Sequence, residues 1–127
     1  MKKHLVFLFV LLVSSLAIQA QTQQDSIIFK TTTYDYGTIV EGGDGSCEFV
    51  FTNQGTTPLL LTNVHASCGC TAPEWPKAPI SPGQTGVVKV KYNTAILGAF
   101  RKTITVNSTA SNAMVVLNIS GNVTPKL

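Results

Sequence analysis

Apolar and polar positions alternate along much of the chain after residue 26, and this pattern predicts β-strands. Within residues 46–53, apolar side chains occupy every second position, at Cys47, Phe49 and Phe51. Residues 59–64 are too uniformly apolar to assign a face, which is typical of a strand in the middle of a sheet. The alternation predicts further strands over residues 27–29, 34–40, 86–92, 100–107 and 115–123.

Turn residues separate the predicted strands, and no segment after the leader has helical periodicity. The glycine-rich residues 42–45 predict a hairpin turn, and the proline-rich residues 71–82 predict a stiff loop. After residue 20 the chain contains 16 Thr, 10 Val and 7 Ile, which favour strands because β-branched side chains pack well on a pleated sheet. The sequence therefore predicts an all-β protein, an immunoglobulin-like antiparallel β-sandwich of about seven strands.

The first 20 residues have the three-part pattern of a secretory signal peptide. A basic head at Lys2 and Lys3 precedes an apolar run over residues 5–18, and the small residue Ala20 precedes a polar segment. The run is shorter than the ~20 residues that a membrane span needs, although an uncleaved anchor is the alternative. We expect cleavage after Ala20, a single domain over residues 21–127, no membrane span after processing, and location in the periplasm or outside the cell.

Composition and charge exclude several classes of protein. The 127 residues include 9 Lys and Arg against 6 Asp and Glu, and 44% are hydrophobic, which argues against a disordered chain. Removing the leader takes away Lys2 and Lys3 and leaves a net charge of +1, so no basic surface for nucleic acid is expected. His65 is the one histidine after the leader, the carboxylates are isolated, and no nucleophile motif is present. These features predict a protein that is not an enzyme.

Three cysteines carry the remaining chemical signal, and three hypotheses fit them. In an oxidising compartment one disulfide can form, either between Cys68 and Cys70 or from Cys47 to one of them, and it would be structural. A bridge across Gly69 alone is geometrically tight, so the pair could instead be redox-responsive. The third hypothesis is capture of Cu or Zn by Cys68 and Cys70 with His65 or Cys47, because thiolates select soft metals.

Trp75 lies in the proline-rich segment and has two possible roles. An exposed tryptophan can anchor a binding partner, so Trp75 is a candidate for partner contact. Alternatively, the indole closes one end of its own sandwich.

Several motifs together resemble a known family. They are Tyr36–Gly42, Phe49–Gly55, Pro58-Leu59, Ser67-Cys68-Gly69-Cys70-Thr71, Pro79–Gly83 and Lys102–Val106. This combination resembles a family of small secreted bacterial Ig-like domains that is marked by the Ser-Cys-Gly-Cys-Thr motif. The resemblance covers about residues 27–123. It implies an Ig-like sandwich related in outline to chaperone-type and ciliary Ig-like domains, and it implies no established activity.

These observations lead to an expected function and one alternative from a different class. We expect an exported, non-enzymatic Ig-like module that binds or supports another envelope or surface protein through strand edges or end loops, with no cofactor. The alternative is a periplasmic protein that binds Cu or Zn, or exchanges electrons, through Cys68 and Cys70.

Overall fold

The computed structural model describes residues 26–127, which form β-strands and connecting loops without a helix. The predicted all-β fold is therefore confirmed, but the strands number eight rather than about seven. The additional strand, β5, begins at Thr71 inside the segment that was predicted to be a loop. The strands are β1 Ile27–Phe29, β2 Thr33–Val40, β3 Ser46–Asn53, β4 Leu61–Ala66, β5 Thr71–Glu74, β6 Thr85–Tyr92, β7 Gly98–Ser108 and β8 Met114–Thr124.

The strands form two four-stranded sheets packed face to face. The first sheet has the order β1-β3-β6-β5 and the second has the order β2-β8-β7-β4. Alternate side chains of both sheets fill the space between them, and the largest fully buried ones include Phe49, Phe51, Ile104, Leu117 and Ile119. This arrangement follows from the period-two pattern, because one face of each strand is apolar and must be covered.

The predicted antiparallel arrangement holds for the pairings of these strands except that of β2 with β8, which is parallel. A parallel neighbour cannot be reached through a tight turn, so β2 instead joins the edge of the second sheet beside the last strand of the chain. The register shifts between Asp35 and Thr38, where Gly37 has φ +66° and its N–H donates to the Asp35 carboxylate over 2.8 Å. No sequence pattern distinguishes a parallel from an antiparallel partner for such a short strand.

The glycine-rich residues 42–45 do not form a hairpin, because they carry the chain from β2 in one sheet to β3 in the other. Gly42 has φ +81°, a conformation that suits glycine. Its N–H donates to the Thr94 carbonyl over 3.2 Å, and the Thr94 hydroxyl donates to the Gly43 carbonyl over 2.7 Å. The link is thus tied to the β6–β7 loop at the same end of the sandwich.

The strand predicted at residues 59–64 overlaps β4, which begins at Leu61 and lies at an edge of its sheet rather than in the middle. The run shows no alternation because Leu60, between the buried Leu59 and Leu61, is also apolar and is half-buried. Leu59 forms an isolated bridge with Ile80, whereas Leu61 begins the strand that pairs with β7.

The predicted leader, residues 1–20, lies outside the described residues. Within residues 26–127, no helix is long and apolar enough to cross a membrane.

Candidate functional site

The Ser-Cys-Gly-Cys-Thr motif forms the link by which the chain leaves β4 in one sheet and enters β5 in the other. Backbone hydrogen bonds hold both ends of this link. The Ser67 N–H donates to the Thr103 carbonyl over 2.9 Å, and the Asn93 N–H donates to the Cys70 carbonyl over 2.8 Å. The Ser67 hydroxyl also accepts from the Thr103 N–H over 3.1 Å. The two cysteines therefore project from a connection whose path is already fixed.

The sulfur atoms of Cys68 and Cys70 lie at disulfide distance, and their Cα atoms are 5.3 Å apart. Both side chains are half-buried, and Cys70 packs against the hydrophobic core. The Cys70 N–H donates to the Cys68 sulfur over 3.2 Å. The hydroxyl oxygen of Thr71 lies 3.6 Å from the Cys70 sulfur and 4.0 Å from the Cys68 sulfur. Two donor groups thus surround this sulfur pair.

A bridge between these two cysteines would do little to restrict the unfolded chain. By the loop-entropy relation, closing a loop of three residues contributes only about 1.6 kcal/mol, against about 3 kcal/mol for a loop of 15 residues. The bridge also joins no two distant strands, since Cys68 and Cys70 belong to one connection. A disulfide between Cys68 and Cys70 would therefore contribute little to the stability of the fold.

Cys47 lies near the same end of the sandwich but is separated from the motif. It is buried on β3, opposite Val90 of β6, and Val90 in turn pairs with Pro73 of β5. Two strand spacings, roughly 10 Å, therefore separate its backbone from β5. The Tyr36 hydroxyl lies 3.2 Å from the Cys47 sulfur and donates to the Gly45 carbonyl over 2.7 Å. Burial raises the pKa of the Cys47 thiol, which keeps it neutral and unreactive.

A series of aromatic rings lies close to Cys47. The ring centroids of Tyr34 and Tyr36 are 4.8 Å apart, those of Tyr36 and Phe100 are 5.7 Å apart, and Phe100 stacks on Tyr92 at 3.7 Å. Gly121 leaves the room for this packing, since a Cβ atom there would lie 2.9 Å from the Phe100 ring. The series connects β2 and β7 of one sheet with β6 of the other.

His65 does not join the cysteines in a recognisable metal site. It is exposed on β4, where its Nδ1 atom lies 3.2 Å from the Asn63 amide nitrogen. Across residues 26–127, no group of three or more His, Cys, Asp or Glu side chains could hold a metal ion. Among the described residues, the arrangement thus offers the two sulfurs of Cys68 and Cys70 without a third His, Cys, Asp or Glu side chain grouped with them.

Trp75 follows directly after β5, is half-buried and packs against the core. The Lys77 ammonium nitrogen lies 3.0 Å from the centroid of its ring, in a cation–π contact. The indole therefore covers part of the protein's own core while one face meets a lysine. An open hollow beside it is lined by Glu74, Trp75, Pro76, Val87 and Lys89.

A surface that the sequence analysis did not single out lies where β2 and β8 end and β7 begins. Val40, Ile96 and Leu97 are 53%, 44% and 51% exposed, and we call these three residues the apical patch. Val40 pairs with Thr124 of β8, while Gly98, next to Leu97, pairs with Val123. Val40 and Leu97 therefore flank the end of β8 on either side. In the sequence, the adjacent large apolar residues Ile96 and Leu97 before Gly98 were the signal that could have indicated this surface.

A shallow hollow of about 550 Å³, lined by polar and apolar groups alike, lies near the apical patch, since its lining residues Thr38 and Ala99 are two positions from Val40 and Leu97. Asp35 of β2, Ser120 of β8 and Arg101 of β7 follow one another in register across its floor. An apolar centre beside polar and charged groups is the composition of many protein-binding surfaces.

A family model described as "Protein of unknown function (DUF1573)" matches residues 27–123. The chain belongs to the DUF1573 family. This match confirms the resemblance to a domain family of unknown function over the same residues. No curated protein shows significant similarity to this DUF1573 chain.

Solved structures share the fold of this DUF1573 domain at low identity. A protein of unknown function from Porphyromonas gingivalis W83 is 13% identical with a TM-score of 0.70, and the alignment covers 85% of this chain and 51% of that chain. The DUF1573 chain thus spans about half the length of that protein. The ASH / PapD-like domain 7 of human CEP192 is 8% identical with a TM-score of 0.69, covering 83% of this chain and 89% of that chain.

An enzyme is also among the matches. The VesB protease of Vibrio cholerae is 16% identical with a TM-score of 0.63, and the alignment covers 80% of this chain but 32% of the protease. At these identities the likenesses show a shared Ig-like, PapD-like β-sandwich.

Proposed function

We propose that this DUF1573 protein is a non-enzymatic module of the bacterial cell envelope that binds another envelope or surface protein through the apical patch. The carrying observation is the exposure of Val40, Ile96 and Leu97 together at one end of the sandwich. Burying such side chains against a partner would contribute about 25 cal/mol per Å² of apolar area. The nearby hollow with Asp35 and Arg101 would supply polar contacts that fix orientation.

The comparisons support a module rather than an enzyme. The PapD-like domain of CEP192 is matched over 89% of its chain, so the whole sandwich corresponds to a whole domain. In contrast, the sandwich corresponds to 32% of the VesB protease chain. The isolated carboxylates and the exposed, single His65 of the described chain also offer no acid–base pair.

The leader sequence supports export. Its basic head, apolar run and small residue before a polar segment are those of a cleavable signal peptide. The proposed protein therefore acts in the periplasm or on the cell exterior, where a disulfide between Cys68 and Cys70 would persist.

Site-specific photo-cross-linking in the producing cells tests the proposal. A photoreactive amino acid replaces Leu97, and we expect a discrete adduct with one envelope or surface protein. The same substitution at Ile28 is the matched control, because Ile28 is 47% exposed but lies on β1 in the other sheet. The control should give no such adduct.

A Val40→Ser substitution supplies a second test of the apical patch. It removes apolar area from the apical patch on the opposite side of β8 from Leu97 and leaves the core unchanged, so we expect it to reduce the adduct at position 97 severalfold. No adduct at position 97, or the same adducts from positions 97 and 28, would refute the proposed binding surface.

A further inference from the structure

The link between β4 and β5 combines three properties that a purely structural disulfide does not need. The sulfurs of Cys68 and Cys70 are half-buried rather than enclosed, and Gly69 between them is exposed with open space beside its Cα atom. The path of the link is held by backbone hydrogen bonds to Thr103 and Asn93. Opening the bridge would therefore leave the two sheets connected as before.

The hydrogen bonds around the sulfurs would favour an open, reduced state. When a disulfide is reduced, one sulfur accepts the new bond and the other leaves as a thiolate. The Cys70 N–H already points at the Cys68 sulfur over 3.2 Å, so a thiolate on Cys68 would receive a hydrogen bond from a fixed donor. The Cys70 sulfur has instead the rotatable hydroxyl of Thr71 at 3.6 Å. Cys68 is thus the better leaving group of the two.

We infer that Cys68 and Cys70 form a redox-active disulfide that exchanges with a dithiol partner while the protein remains folded. A thiolate of the partner attacks the Cys70 sulfur, the bond between Cys68 and Cys70 breaks, and Cys68 leaves as a thiolate. The second thiol of the partner then displaces Cys70 and forms the partner's own disulfide. Two electrons pass to the cysteine pair, two protons complete the two thiols, and the dithiol is oxidised.

Cys47 provides an internal reporter for the experiment, because it is 6% exposed and reacts only when the sandwich opens. The purified, folded protein is treated with dithiothreitol without denaturant, labelled at intervals with a maleimide, and analysed by mass spectrometry with peptide mapping. We expect two labels, on Cys68 and Cys70, to appear at least tenfold faster than the label on Cys47. Labelling of all three cysteines at one rate would show that reduction requires unfolding and would overturn the inference.

Single substitutions test the assignment of Cys68. In Cys70→Ser the remaining motif thiol is Cys68, which keeps the N–H of residue 70, and in Cys68→Ser it is Cys70. At neutral pH we expect the Cys68 thiol in Cys70→Ser to react with oxidised glutathione at least about fivefold faster than the Cys70 thiol in Cys68→Ser. Equal rates, or a faster Cys70, would overturn the assignment. Failure of the cross-linking at position 97 would leave these results unaffected, so the two proposals are tested separately.

Discussion

At the scale of single residues, Asn53 shows how much one buried amide contributes to the loops. Its side chain is 1% exposed, and its amide nitrogen donates to the carbonyls of Thr57 and Ile80 over 2.9 Å each. Its side-chain oxygen accepts from the Gly55 N–H over 2.9 Å. The sequence predicts the turn through Asn53 and Gly55, because asparagine bonds the backbone two residues on. The bond to Ile80, 27 residues away, depends on tertiary structure and has no local signal.

Replacing Asn53 with alanine should lower the free energy of unfolding by about 2 to 3 kcal/mol. The substitution leaves three backbone groups without these partners in a part-buried site. Urea denaturation followed by circular dichroism measures the loss. Asn122→Ala is the control, since Asn122 is exposed on β8 and should change stability by less than about 0.5 kcal/mol. Equal effects of the two substitutions would contradict the role assigned to Asn53.

At the scale of strands, alternation predicts the elements better than it predicts their neighbours. β3 begins and ends where the pattern places it, because Cys47, Phe49 and Phe51 must all face the core. The sequence does not predict β5, because Pro73 and the prolines that follow it are typical of a loop. Cys47 and the Ser-Cys-Gly-Cys-Thr motif lie at the same end of the sandwich because β6 pairs with both β3 and β5. The residues of the motif do not predict these pairings.

The position of Pro73 on β5 also explains how this sheet edge is protected. Because the Asn93 N–H donates to the Cys70 carbonyl, the alternating ladder turns the backbone of Ala72 toward β6 and that of Pro73 toward solvent. Proline has no N–H, so the outward edge lacks a donor at this point. The edge is therefore a poor template for another strand at this point.

Replacing Pro73 with valine should increase self-association, because it restores an outward N–H on an exposed edge strand. Sedimentation velocity over a range of protein concentrations measures the fraction of dimers and larger species. Ala72→Val is the matched control, since it also places a valine on β5 but its N–H faces β6. If both variants associate as weakly as the wild type, the edge is not protected by Pro73.

At the scale of the whole molecule, three weak acids are gathered on the core side of the same end. Burial raises the pKa of Tyr36, of Cys47 and of Tyr92, and the hydrogen bond with Cys47 adds to the shift of Tyr36. The three residues come from β2, β3 and β6, so the neutral cluster spans both sheets. Ionisation of these phenols and this thiol would therefore lower the free energy of unfolding.

This cluster predicts that stability falls at alkaline pH. Below the unfolded-state values, about 8.5 for cysteine and about 10 for tyrosine, all three groups are protonated in both states and their contribution is complete. As the pH rises above these unfolded-state pKa values, the unfolded chain releases protons that the folded chain retains. The free energy of unfolding therefore decreases until the pH reaches the raised pKa values of the folded state. The urea midpoint should therefore drop between pH 8 and pH 10.5.

Tyr36→Phe should be less stable than the wild type at pH 8, because it loses the hydrogen bond to the Gly45 carbonyl. Its urea midpoint should nevertheless decline less steeply with rising pH than that of the wild type. Parallel declines would show that Tyr36 does not contribute to the alkaline transition.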